Sequence, residues 1–318
     1  MNHVVVTGAA GFIGSHLVDR LLDDGQSIIG IDSFTDYYDP ATKSANLASA
    51  LGDPRFTLLE RDLLDLLHPA DDLTTVLRQA GCVYHLAAQA GVRASWGRSF
   101  RSYTDNNVLA TQAVLEACVG GRAKAVVYAS SSSVYGDCPV MPLREDAVCQ
   151  PVSPYGVTKL AGEHLCGLYA KAHDLHTVAL RFFTVFGPRQ RPDMAFHKFM
   201  RALLRDEPID VYGSGQQTRD FTFVNDIVEA LVRAPEAPCG SVINVGGGHR
   251  VTLLEALDLL ADVAGRTPRL RMKEPEPGDA RDTWADLRRA HEYLGYAPHV
   301  GLQDGLAAEW AWIREQET

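Results

Sequence analysis

The eight residues Thr7-Gly8-Ala9-Ala10-Gly11-Phe12-Ile13-Gly14 constrain this chain more than any other stretch of it. They follow the β-branched run Val4–Val6 and open the amphipathic stretch Phe12–Asp24. In a strand–turn–helix setting the three glycines have separate uses. Gly8 permits a tight turn, Gly11 lets the backbone approach a diphosphate, and Gly14 lets the helix lie close to the sheet. The helix N-terminus, headed by Phe12 and Ile13, then turns free N–H groups and a positive dipole end toward phosphate. The next apolar run, Ser27–Asp32, ends on a carboxylate. Asp32 is expected there to accept hydrogen bonds from a ribose 2′-hydroxyl, which favours NAD over NADP.

The rest of the first half repeats the pattern. Strands are predicted at Val4–Thr7, Ser27–Asp32, Phe56–Glu60, Cys82–Leu86, Ala125–Ala129 and Thr177–Phe182. Helices are predicted over Phe12–Asp24, Leu73–Ala80, Thr104–Cys118 and Pro154–His173. Strands alternating with helices imply parallel pairing with crossovers, hence an α/β fold built on a doubly wound parallel Rossmann sheet. After Phe182, glycines and prolines cut the chain into shorter pieces, with helices expected at Ala195–Arg205, Asn225–Arg233, Leu253–Ala264 and Leu302–Arg314. The run Val242–Val245 reads as a late return to the large sheet. The expected organisation is an NAD-binding domain of residues 1–182 and 219–250. A smaller, interleaved α/β substrate-binding lobe takes 183–218 and 251–318.

Composition narrows the partners. No run of 18 apolar residues appears, so no membrane span is expected. The N-terminal run reads as a first strand rather than a signal peptide. A formal charge of −10 argues against nucleic acid, yet leaves room for an anionic small molecule gripped by local arginines. The six cysteines are scattered, which points to reduced thiols, no metal site and a cytoplasmic protein.

Further residues fit the cofactor pocket. Asp62, with Leu63 beside it, follows the third strand, where its carboxylate is placed to meet an adenine amino group or is equally a solvated loop acid. Leu86, Ala87, Ala88 and Gln89 end the fourth strand with small side chains that permit close approach. Tyr155 and Lys159, four apart on a predicted helix, share a face. A neighbouring ammonium favours the phenolate, so this pair has the chemistry of a general base. Ser131 ends the fifth strand, where catalytic groups sit in such sheets, and its hydroxyl is placed to relay the proton.

Together Thr7–Gly14, Ser131, Tyr155 and Lys159 resemble the extended short-chain dehydrogenase/reductases, as do Arg219-Asp220-Phe221 and Pro277-Gly278-Asp279. The resemblance implies tightly bound NAD, with Asn107 and Phe182 near it, and a homodimer formed through the Leu109–Cys118 and Leu160–Ala170 faces. Dehydratases of this group carry Thr-Asp-Glu before Val-Tyr-Gly, and decarboxylases usually carry Glu immediately before it. Here the stretch is Ser131-Ser132-Ser133 before Val134-Tyr135-Gly136, with no acid for an elimination. Reversible oxidation at a sugar C4 remains, which is epimerase chemistry.

Three stretches, Asp36–Pro40, His85–Arg93 and Thr184–Met194, resemble the UDP-glucuronate 4-epimerases. That resemblance implies that Thr184 and Arg191 face the sugar carboxylate, with Ser132, Ser133 and Arg93 close by. Phe199, Val211, Tyr212 and Gln217 are then expected around the nucleotide, Arg219 at the diphosphate and Asp279 at its ribose. Arg191 has an alternative partner in Asp193 or an acidic loop residue. The chain departs from its relatives at Glu276, where many have Arg; Arg271 or Arg281 is the expected replacement. The alternatives are an epimerase of neutral UDP-hexoses, a UDP-glucuronate decarboxylase and a catalytically silent NAD-binding relative.

Overall fold

A computed structural model of the chain describes residues 3–68, 72–274, 278 and 280–317. Its first half runs β1 (Val4–Thr7), α1 (Phe12–Asp23), β2 (Ile28–Asp32), α2 (Pro40–Asn46), β3 (Phe56–Glu60) and α3 (Leu73–Gln79). It continues through β4 (Cys82–His85), α4 (Phe100–Thr104), α5 (Ala110–Cys118), β5 (Val126–Ser131), α6 (Pro154–His173) and β6 (Thr177–Phe182). The second half holds β7 (Val185–Phe186), α7 (Ala195–Leu204), β8 (Ile209–Tyr212), β9 (Thr218–Asp220), β10 (Thr222–Phe223) and α8 (Val224–Arg233). It ends with β11 (Ser241–Val245), β12 (Arg250–Thr252), α9 (Leu253–Ala264), β13 (Leu270–Lys273), α10 (Arg288–Leu294) and α11 (Leu302–Gln316).

The doubly wound sheet is present. Seven parallel strands lie in the order β11-β6-β5-β4-β1-β2-β3. β11 returns to pair with β6 from Ser241↔Val178 to Val245↔Phe182, as the run Val242–Val245 implied. Strand order reverses between β1 and β4, so a crevice opens beyond their C-terminal ends. Every residue of β1, β4 and β6 is buried, the mark of a parallel sheet covered on both faces. One cover uses Leu77, Val114, Cys166 and Tyr169 from α3, α5 and α6. The other joins Leu17 and Leu21 of α1 to Ile227 and Leu231 of α8. That second core continues without a break into Phe196, Leu257, Leu260, Trp310 and Ile313, so the later helices share the sheet's core.

Some elements differ from expectation. The helix predicted over Thr104–Cys118 begins at Phe100 and is interrupted by a π turn at Asp105–Leu109. β5 runs on to Ser131 rather than ending at Ala129. β9 pairs antiparallel with β12 (Thr218↔Thr252) instead of joining the large sheet. α2 and α10, seven residues each, are too short to declare a helical period. α2 nonetheless carries a readable start, since the Asp39 carboxylate accepts from Ala41 N and Pro40 takes the first turn. Among the described residues no helix is long and apolar enough to cross a membrane.

Candidate active site

The crevice is built around the glycine turn. Gly8 has φ +69°, and a Cβ on Gly14 would stand 2.0 Å from the Gly8 carbonyl oxygen. Only glycine lets α1 begin so close to the turn, and no side chain caps α1 at Gly11. The crevice therefore has the backbone cradle and open helix N-terminus that a dinucleotide diphosphate requires. Gly8, Gly11, Phe12, Ile13, Gly14, Asp32, Asp62, Leu63, Leu86, Ala87, Ala88, Gln89, Tyr155, Lys159 and Phe182 all line it.

Asp32 ends β2 with both oxygens fixed: Oδ2 accepts from Ala10 N at 3.1 Å and Oδ1 from Phe34 N at 2.9 Å. Lys43 on α2, which the sequence reading missed, brings Nζ to 3.9 Å from Asp32 Oδ1 and donates to the Thr35 carbonyl at 3.0 Å. Asp62 accepts from Leu64 N at 2.9 Å and also lines the crevice.

Asn107, expected near the cofactor, holds Gln89 of the crevice lining from behind. It lies in the π turn, buried behind the crevice rather than lining it. Its Oδ1 accepts from Gln89 N at 2.7 Å, while Nδ2 donates to Gln89 O and to Thr158 Oγ1, both at 3.0 Å. Its amide is spent on pinning the loop after β4 to α6. His85 does similar work one layer deeper. Burial pushes it down to about 3, so it is neutral, and its two nitrogens bridge Thr7 Oγ1 (2.9 Å) and Thr111 Oγ1 (3.0 Å).

Tyr155 and Lys159 enter on the first turns of α6, which starts where Ser153 Oγ accepts from Gly156 N at 3.1 Å. A Cβ on Gly156 would lie 2.5 Å from the Ser133 carbonyl, so glycine there lets α6 abut the end of β5. Ser131, Ser132 and Ser133 are half-buried at that end; Ser131 Oγ donates to Ser133 Oγ at 3.1 Å and accepts from Ser133 N at 3.2 Å. Lys159 Nζ donates to the Ala129 carbonyl at 2.7 Å and lies 5.1 Å from the Tyr128 ring centre. Burial pulls Lys159 down to about 8, partly opposed by Cys166 and Glu163. Burial raises Tyr155, against the Ser131 hydroxyl and the Arg191 charge, which lower it.

Glu163, four residues past Lys159 and also missed, accepts from Ser130 Oγ and holds Arg181 through contacts of 2.9 and 2.8 Å. Both members of that ion pair are almost wholly buried.

Arg191 reaches the same crevice, paired with the alternative partner. Its Nε donates to Asp193 Oδ1 at 2.9 Å and Nη2 to Asp193 Oδ2 at 3.1 Å. Thr184 is half-buried, with its carbonyl accepting from Thr222 N at 2.9 Å.

Tyr155 and Arg191 apart, the described substrate-side residues, Ser131, Ser132, Ser133 and Thr184 among them, stand outside the crevice lining, and the rest of them lie on or against the second-half elements. Arg93 stacks 4.4 Å from the Tyr212 ring centre, tying the loop after β4 to β8. Gln217 Nε2 donates to the Tyr212 carbonyl at 2.9 Å. Phe199 and Val211 are buried in the shared core, which explains their apolar character without any ligand. Arg219 Nη1 donates to the carbonyls of Thr218 and Arg281, both at 2.9 Å, which brings Arg281 beside it. Arg271 is instead exposed on β13 and paired with Asp210. Asp279 and Glu276 lie outside the described residues.

Comparison with known proteins agrees with this geometry. Residues 4–246 match the NAD dependent epimerase/dehydratase family. The chain is 42% identical to the UDP-glucuronic acid 4-epimerase of Bacillus cereus, solved with UDP-glucuronic acid and NAD, over 99% of each chain with a TM-score of 0.94. It is 42% identical over 98% of its length to the uncharacterized UDP-glucose epimerase YtcB of Bacillus subtilis, covering 97% of that protein. It is also 41% identical to MoeE5. That protein is solved with NAD and UDP-glucuronic acid (99% and 100% covered, TM-score 0.87) and with NAD and UDP-glucose (100% of each, 0.88).

Proposed function

This chain belongs to the NAD dependent epimerase/dehydratase family, and from that premise we propose that it interconverts UDP-glucuronate and UDP-galacturonate through a transient 4-keto sugar. Bound NAD supplies the hydride acceptor and donor; the chain's own groups handle the proton and the carboxylate. On this reading Tyr155 takes the proton of the C4 hydroxyl, Ser131 relays it, and the Lys159 charge favours the phenolate. The 4-keto uronate is a β-keto acid, prone to lose CO₂ when its C–C bond aligns with the ketone π system. Arg191, Thr184, Ser132 and Ser133 hold its carboxylate out of that alignment. Arg93, Tyr212, Gln217, Arg219 and Asp279 take the nucleotide, with Phe199 and Val211 in the core behind them, and Arg281 is favoured over Arg271 for the diphosphate because it adjoins Arg219. Residues 1–182 and 219–250 serve the cofactor and 183–218 and 251–318 the sugar nucleotide, in a cytoplasmic homodimer formed through α5 and α6.

The observation that carries this reading is one crevice shared by the cofactor cradle, the Tyr155–Lys159 pair and a guanidinium, Arg191. The absence of a carboxyl group at Ser132 and Ser133 speaks against elimination and decarboxylation. A second reading, epimerisation of neutral UDP-hexoses, has support from the Arg191–Asp193 pairing and from MoeE5, which is solved with UDP-glucose as well. The test is kcat/KM for UDP-glucuronate and UDP-glucose in wild type and Arg191→Ala. UDP-glucuronate use should fall by about 2–4 kcal/mol of transition-state stabilisation, with UDP-glucose much less affected. Equal losses for both sugars would mean that Arg191 is structural or binds the diphosphate, and would remove the main physical support of the glucuronate reading. Faster turnover of UDP-glucose than of UDP-glucuronate by wild type would favour the neutral-hexose reading.

A further inference from the structure

Arg191 brings a charge to the crevice that Asp193 already balances. The pairing is side-on and uses the Nε–Nη2 edge, which leaves the Nη1–Nη2 edge turned away from Asp193. One guanidinium can therefore serve two carboxylates at once. Asp193 is itself held from the cofactor side. The Tyr37 hydroxyl donates to its Oδ2 at 3.2 Å, and that hydroxyl stands 2.5 Å from where a Cβ on Gly91 would lie. Tyr37 sits in the loop after β2 that lines the crevice; Asp193 follows β7. Asp193 thus joins two side chains of the crevice lining, Tyr37 and Arg191.

We propose that Asp193, seated by Tyr37, is a resident counter-ion that lets the sugar carboxylate leave and regain Arg191 within each turnover, and so sets how strongly uronates are preferred. The proposal rests on the function given above. Between oxidation and reduction the keto sugar must present its opposite face, so a carboxylate contact made in one orientation has to break. The Arg191 side chain is only 20% exposed, and a charge so placed is costly when it loses its sole partner. Asp193 keeps it paired while the sugar turns, and in that interval the hydroxyls of Thr184, Ser132 and Ser133 keep the carboxylate out of line with the ketone. The same arrangement weakens the grip on the substrate, because two carboxylates share one cation. Replacing Asp193 with Asn keeps the shape and removes the competing charge. Arg191 then holds the sugar carboxylate more tightly and releases it more slowly.

The test compares wild type, Asp193→Asn and Tyr37→Phe, each loaded with NAD. It measures the Kd of UDP-glucuronate, the Kd of UDP as a reference without sugar, and kcat for UDP-glucuronate. In Asp193→Asn the ratio of the two Kd values should fall about tenfold, and kcat should fall with it, the pattern of a ground state held too tightly. Tyr37→Phe should move both in the same direction by about threefold. A wild type that leaves UDP-glucuronate unchanged overturns the functional reading and this proposal with it. A wild type that epimerises it, with the variants' ratio unchanged or raised, or with kcat unchanged, overturns this proposal alone.

Discussion

Lys159 is the residue whose state most directly sets the proposed chemistry. Burial brings it down to about 8, so it is charged below that pH and neutral above it. On the proposed reading its charge favours ionisation of Tyr155, which burial opposes and the Ser131 hydroxyl and Arg191 charge assist. The rate of epimerisation should therefore fall as pH rises through about 8. Tyr155→Phe should lose about 10²–10⁴ in kcat and with it this alkaline limb. A flat pH–rate profile between neutrality and alkaline pH, or a Tyr155→Phe variant close to wild type, would contradict the assignment. At this scale the sequence was informative wherever a residue type has one use. The glycines of the first turn, Asp32 and the Tyr155–Lys159 spacing are of that kind. It was silent where a side chain has many possible partners. Arg191 has Asp193 on one edge of its fork and stays open to a sugar carboxylate on the other, and Asn107 holds a loop.

Helix α6 is the element on which the site depends. Tyr155, Lys159 and Glu163 follow at four-residue intervals, and Glu163 ties the helix to β5 through Ser130 and to β6 through Arg181. Glu163→Gln leaves the Arg181 guanidinium buried without a countercharge and should cost about 3–5 kcal/mol of stability. Replacing both, as Glu163→Leu with Arg181→Met, should recover most of that loss, since well-packed apolar residues often substitute for a buried pair. Chemical denaturation of the three proteins checks this; equal stability of wild type and Glu163→Gln would show that the pair is not needed to hold α6. Long periodic elements such as α6 were readable in advance. The π turn at Asp105–Leu109, helices α2 and α10 and the two- and three-residue strands were not, because tertiary pairing rather than local pattern creates them.

Across the whole molecule, one core joins the sheet to the later helices, and the crevice at the strand-order reversal gathers groups from both halves of the chain. That layout suits a reaction in which an oxidised sugar stays bound, turns and is reduced again without release. The parallel sheet and the return of Val242–Val245 to it were legible, since strand–helix alternation admits few topologies. After Phe182 the four longer helices were legible as well, but the short strands between them were not, because their pairing is set by tertiary contact. The most direct measurement of the central claim uses UDP-glucuronate carrying deuterium at C4, followed by NMR with the protein and no added cofactor. The account expects UDP-galacturonate with the deuterium still at C4 and no CO₂ released. A decarboxylated pentose product, deuterium lost to water, or an unchanged substrate would contradict it.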